Sequence, residues 1–122
     1  MKVVITGSRH INDRLALVKA IKQSGFDITE VVRGVSSGVD TLGETWARAN
    51  DIPIKQMQAE WDKFGKSAGP RRNKEMANYA DAAIFLWDGE SKGTLNIIKN
   101  MVKLDKPYFI KMVFPDETSI KN

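Results

Sequence analysis

The 122-residue chain contains no cysteine and a single histidine, His10. The first absence excludes disulfides and thiolate chemistry. The second leaves a zinc centre without a histidine cluster to draw on, and a lone histidine is more often incidental than catalytic, so no metal site is expected. No run of about 18 apolar residues occurs, so nothing reads as a membrane span. The stretch from Met1 to Thr6 is too short, and too soon interrupted by Gly7, for a signal peptide. A cytoplasmic protein without membrane contact is therefore expected. A regular series of aromatics interleaved with basic residues, as a single-strand groove needs, is also missing.

What remains is an ordinary globular composition. Apolar residues make up 42% and charged residues 28%, enough for a core and too balanced for general disorder. The length fits one domain spanning 1–122. The formal charge of +4 favours anionic partners without identifying one. Much of it comes from Lys99, Lys103, Lys106, Lys111 and Lys121, which read as solvated faces.

Short apolar runs alternate with longer mixed stretches. Lys2 to Thr6 reads as a buried strand. Asp13 to Ser24 reads as a helix whose Leu15, Val18 and Ile21 recur at three-residue spacing with Leu17 beside them, stopped by Gly25. Ile28 to Arg33 is a second strand. A helix follows to about Asn50, with Ser37 as its cap, and Pro53 to Met57 is a third strand at the sheet entrance or edge. Trp61 to Gly69 reads as irregular, and a helix runs from Pro70 or Arg71 to Tyr79 or Ala80. Ala82 to Trp87 is a central strand, Thr94 to Leu104 a helix and Tyr108 to Val113 the last strand. Strands separated by helices imply right-handed crossovers, hence a Rossmann-like, doubly wound α/β fold: a mostly parallel five-stranded sheet with helices on both faces. Ligands of such a sheet bind beyond the carboxyl ends of the strands, where the strand order reverses.

Four loops fall at those ends. After the first strand, Gly7 allows close backbone approach, Ser8 offers a hydroxyl and Arg9 a fork of donors suited to phosphate; a plain turn with a solvated arginine is the other reading. In the second loop Gly34, Ser36, Ser37 and Gly38 lead to a helix start that can receive phosphate oxygens. Asp40 either caps its own helix or bonds a sugar hydroxyl. Segment 34–40 carries neither GxGxxG nor GK followed by Ser or Thr, so hydride transfer and ATP hydrolysis have no direct support and no cofactor is expected. The third loop offers Arg72 and Asn73 to phosphate or ribose, or uses them for capping and surface charge. The fourth holds Asp88, Ser91, Gly93 and Thr94 as sugar or anion contacts, with Trp87 either stacking on a base or belonging to the core.

Together these residues resemble the SLOG superfamily, which includes the LOG and DprA proteins, and within it the small YspA/YpsA-related group. The group's pattern runs GSR, HGGARGAD, a tryptophan-containing helix, AGPxRNxxM, an AD-led strand and DGxSxGT. Here stand Gly7-Ser8-Arg9, Arg33 to Asp40, Trp46-Ala47, Ala68 to Met76, Ala80-Asp81 and Asp88 to Thr94. The resemblance covers residues 3 to about 110. Arg33 stands where relatives carry histidine, Val35 replaces the second glycine and Ser37 an arginine, so a phosphate-facing side chain is either missing or supplied by Arg33.

The resemblance implies binding of a nucleotide or nucleotide-derived phosphorylated ligand, by a sensor or sequestering protein in conflict between a cell and a mobile element, and a homo-oligomer paired through helices. In LOG enzymes a GTxxE glutamate works with the arginine matched here by Arg72; its position is Ile97, which supplies no charge. An N-glycosidic hydrolase acting on a nucleotide or NAD-derived metabolite is therefore the alternative. Its catalytic pair would be Arg72 and Asp88, with Glu90 or Asp40 as other substitutes for the glutamate. DprA-like binding of single-stranded nucleic acid ranks third.

Overall fold

The computed structural model describes residues 1–34 and 38–114. Strands β1 (Lys2–Gly7), β2 (Glu30–Gly34), β3 (Ile54–Met57), β4 (Ala82–Trp87) and β5 (Tyr108–Met112) form one five-stranded sheet in the order β3-β2-β1-β4-β5. Every neighbouring pair is parallel, with Val3 opposite Val31 on one side and Ala82 on the other. Helices α1 (Arg14–Ser24), α2 (Val39–Ala49), α3 (Trp61–Phe64), α4 (Ala68–Tyr79) and α5 (Lys92–Lys103) make the connections. The order reverses between β1 and β4, which places the topological switch point at the carboxyl end of β1.

Strand side chains alternate between two cores, as the period of two requires. Val3, Ile5, Val31, Ile84 and Leu86 pack under α1 and α2, while Val4, Val32, Ala83 and Phe85 pack under α4 and α5. Because both faces are covered, β1 and β4 read as nearly continuous apolar runs. β3 lies at the edge, preceded by Pro53, whose carbonyl accepts from Val31 N–H at 2.9 Å. Trp87 packs against the α4–α5 core and donates its indole N–H to the Ser91 carbonyl at 3.1 Å, so it belongs to the scaffold.

Several local expectations change. In α1 the buried residues are Ala16, Leu17 and Ala20, whereas Leu15 is 71% exposed. Ile21 packs against the same core, so of the three-residue repeat Leu15 is the residue turned to solvent. Segment 61–69 is helical rather than irregular: α3 passes into a 3-10 turn at Gly65–Ser67, and α4 begins at Ala68, ahead of Pro70. A four-residue helix shows no periodicity, and packing holds this one, with Arg71 stacked 4.2 Å from the Phe64 ring centroid. Helix α5 starts at Lys92, with Ser91 as its N-cap, so Gly93 and Thr94 lie in its first turn. Ser37, the expected cap of α2, lies outside the described residues; Gly38 holds the N-cap position. Lys106 is not a solvated lysine, because its ammonium binds the carbonyls that end α4.

Candidate functional site

A cleft opens at the switch point. Thr6 and Gly7 from the end of β1, Arg9 from the following loop and Asp40 from the first turn of α2 form one side. Arg72, Asn73 and Met76 of α4, with Ser91, Gly93, Thr94 and Ile97 around the start of α5, form the other. The cleft encloses about 80 Å³. That is far less than the roughly 300–1,000 Å³ that takes in a whole small molecule, and it suits one phosphate-sized group.

The charges in it are unevenly held. Arg9 is exposed, whereas Arg72 is half-buried. Burial lowers the Arg72 guanidinium from its ordinary value; the Asp40 charge opposes the shift and the Arg9 charge adds to it. Asn73, itself buried, accepts from Arg72 Nε at 3.0 Å and donates its own N–H to Asn96 Oδ1 at 3.0 Å. Asn73 therefore orients Arg72, and α5 orients Asn73. The Asp40 carboxylate, only 2% exposed, accepts a 2.6 Å hydrogen bond from the Thr6 hydroxyl.

The glycines of the loops are first of all sites of close backbone packing. A Cβ at Gly7 would lie 1.9 Å from the Leu86 carbonyl oxygen, so β1 and β4 come together at full depth only with glycine there. Gly38, with φ of 71°, sits against the Ser8 and Arg9 backbone, where a Cβ would be 2.4 Å from the Arg9 carbonyl oxygen. Gly93 has open space around it, at the cleft rim.

The fourth loop is built on Asp88. Its Oδ1 accepts from the N–H groups of Glu90 at 2.8 Å and Ser91 at 3.0 Å, and its own N–H donates to Ser8 Oγ at 3.1 Å. Burial pushes the Asp88 carboxyl up, but the Glu90 and Ser91 N–H groups and the Ser8 hydroxyl outweigh it and hold the group below its ordinary value. Ser91 Oγ then accepts from Thr94 N–H at 3.4 Å and lies 3.0 Å from Thr94 Oγ1, closing the start of α5.

Of the residues singled out in the sequence, the cleft brings together Gly7, Arg9, Asp40, Arg72, Asn73, Ser91, Gly93 and Thr94. Ser8, Gly34, Gly38 and Asp88 are not among its lining, and Ser36 and Ser37 lie outside the described residues. Ser8 is 1% exposed and ties the first loop to the fourth. Arg33 does not face the cleft: it pairs with Glu44 beneath α2, and Glu44 also accepts from Arg48 at 2.8 Å. His10 is exposed and stands apart from the lining. Thr6 and Met76 also line the cleft, though neither is among the site residues expected from the sequence. Thr6 has a signal, as the one hydroxyl in the apolar run of β1, and Met76 has one as the residue that closes the AGPxRNxxM pattern, although it also packs in the core. Among the described residues no three His, Cys, Asp or Glu side chains gather as metal ligands, and no helix is long and apolar enough to cross a membrane.

The sequence of this chain is similar to known proteins. A family model described as the YspA, cpYpsA-related SLOG family matches residues 1–64, which contain β1, α1, β2, α2 and β3. The Gene 61 protein of Mycobacterium phage D29 is 31% identical over 116 residues, an alignment covering 87% of this chain and 92% of the phage protein. The chain belongs to the YspA, cpYpsA-related SLOG family. In this SLOG protein the Rossmann-like sheet carries the first two loops within the matched segment, and α4 and α5 complete the cleft from beyond it. Ile97, one turn past Thr94, forms an apolar part of the wall and is 3% exposed.

Proposed function

We propose that this SLOG protein binds the phosphate of a nucleotide or nucleotide-derived ligand in the switch-point cleft and acts by binding it, as a sensor or a sequestering protein. The observation that carries the reading is the approach of Arg9 to a half-buried Arg72 in one small cleft. Two like charges, one of them partly desolvated, are unfavourable together; an anion between them relieves the repulsion and gains charge-assisted hydrogen bonds. The first turn of α5, with Gly93 open at the rim, adds N–H groups and a helix N-terminus. Apolar Ile97 at the position matched to the LOG glutamate supports binding over turnover. The relative in a mycobacteriophage fits a role in conflict between a cell and a mobile element. The reading includes a cytoplasmic homo-oligomer, as the family resemblance implies.

Calorimetric titration with adenosine monophosphate and with ribose 5-phosphate tests it. Arg9→Ala and Arg72→Ala are each expected to weaken binding by roughly 10- to 100-fold, the loss of a charge-assisted hydrogen bond of about 1.5–3 kcal/mol. Equal affinity in wild type and both variants would reject the assignment.

A second reading rests on Asp40. It is a buried carboxylate in the cleft, oriented by Thr6 and close enough to Arg72 to affect its charge. A carboxylate so placed is the group an N-glycosidic hydrolase needs as positive charge grows at the anomeric carbon. Sustained multiple-turnover release of adenine from adenosine monophosphate, lost in Asp40→Asn, would put this reading first. Asp88, held by its own loop, is the weaker substitute.

A further inference from the structure

We infer that Trp61 is the platform on which the base of the ligand stacks, so that the cleft selects phosphorylated ligands carrying a planar aromatic group. The inference rests on the nucleotide reading and specifies what it leaves open. The cleft takes one phosphate-sized group, so the remainder of a nucleotide must lie across its rim. Trp61 packs on α4 at Gly69, about one helical turn from the arginine of the cleft. On α4, Gly69 shares a face with Arg72, Asn73 and Met76, at the spacing of three, four and seven residues that a helix brings into line. The other three line the cleft, and Gly69 lies about one turn further toward the helix start. The Trp61 ring covers Gly69: a Cβ there would be 3.3 Å from Trp61 Cη2. With no side chain at Gly69 the indole lies closely against the helix, about one turn from Arg72.

Trp61 is also the odd tryptophan of the chain. Trp46 and Trp87 pack against the two cores, and Trp87 uses its indole N–H on the Ser91 carbonyl. Trp61 is 59% exposed, and its indole N–H donates to no protein atom among the described residues. It is the first residue of α3, which is held by backbone bonds from Lys63 and Phe64 to the Glu60 carbonyl at 3.1 and 3.0 Å. A half-uncovered indole, seated on α4 about one turn from an anion-binding cleft, is suited to a base, because every base offers a π-face.

The test compares adenosine monophosphate with ribose 5-phosphate, which shares the phosphate and sugar and lacks the base. In Trp61→Ala, affinity for adenosine monophosphate is expected to fall about tenfold or more while that for ribose 5-phosphate stays unchanged. Trp61→Phe is expected to restore most of the loss. Tryptophan fluorescence should be quenched by adenosine monophosphate in wild type and not in Trp61→Phe. Melting temperatures of both variants should match wild type, since the ring is exposed. Equal losses for both ligands, no loss for either, or a change of oligomeric mass in Trp61→Ala with ligand affinity intact would overturn the inference and leave the phosphate reading standing. Failure of both ligands to bind wild type would remove that reading, and the inference with it.

Discussion

The guanidinium of Arg72 rests on the bare backbone of Gly34: a Cβ at residue 34 would lie 2.3 Å from Arg72 Nη1 and 2.7 Å from Cζ. Gly34 thus acts through Arg72, although it does not line the cleft. The guanidinium ends a flexible chain and can swing away, so Gly34→Ala should change stability by less than about 1 kcal/mol. Its affinity for adenosine monophosphate should fall toward that of Arg72→Ala. Calorimetry beside a thermal melt separates the two effects, and wild-type affinity in Gly34→Ala would show that the resting place of Arg72 is immaterial.

Gly7 and Gly93 both line the cleft, and alanine should affect them in opposite ways. At Gly7 the added carbon meets the Leu86 carbonyl oxygen at 1.9 Å, an atom that cannot move without separating β1 from β4. Gly7→Ala should cost more than about 2 kcal/mol. At Gly93 nothing lies within 4 Å and the backbone is helical, so Gly93→Ala should be neutral or stabilising by up to about 1 kcal/mol. Urea denaturation midpoints of the two variants check the contrast.

Lys106 closes α4 from outside the helix. Its Nζ donates to the carbonyls of Ala77, Asn78 and Ala80 at 2.8, 2.8 and 2.7 Å, satisfying acceptors at the negative end of the helix. Lys106→Met keeps the length of the stem and removes all three bonds. It should lower stability by about 1–3 kcal/mol, measured by chemical denaturation. A change below about 0.5 kcal/mol would mean that water replaces the ammonium without cost.

Stability should decline in acid, and Asp88 should account for part of the decline. Its folded-state pKa lies below the ordinary value: burial opposes this, and the N–H groups of Glu90 and Ser91 with the Ser8 hydroxyl prevail. Glu44 is lowered by its bond to Arg48 against the opposing effect of burial, and Asp81 by the Lys2 N–H, 2.8 Å from its Oδ2. A depressed folded pKa contributes stability that is present above the unfolded value of about 4 and is lost as pH falls through the folded one. Asp88→Asn retains an oxygen to accept the two loop N–H groups but cannot titrate. Melting temperatures from pH 6 to 2 should fall less steeply for this variant than for wild type; parallel curves would assign the acid sensitivity elsewhere.

The architecture was legible because it depends on local signals that repeat. Apolar runs such as Val3 to Ile5 and Ala82 to Leu86, spaced by helix-length segments, leave parallel crossovers as the simple solution. Helix boundaries were less so. The start of α5 moved to Lys92 because Ser91 caps it, and α3 was invisible because four residues carry no period. In α1 the core-facing side combines Leu17 and Ile21 with the small Ala16 and Ala20, while Leu15 is exposed because two positions along a helix set it more than half a turn from Leu17.

By itself the sequence determined which loops meet. Gly7 to Arg9 after β1, Gly38 to Asp40 after β2 and Asp88 to Thr94 after β4 come to one edge in any parallel, right-handed winding of these strands, since the crossover leaves no other place for them. Only the tertiary structure decided which side chains of those loops face the cleft. Ser8 and Asp88, plausible ligand contacts in isolation, bond each other's segments across 80 positions of sequence, while Asp40 is turned toward Thr6 across 34. Each polar group in a buried loop must find a partner, and the partner it finds is set by chain segments far away in sequence that folding alone brings within hydrogen-bond reach.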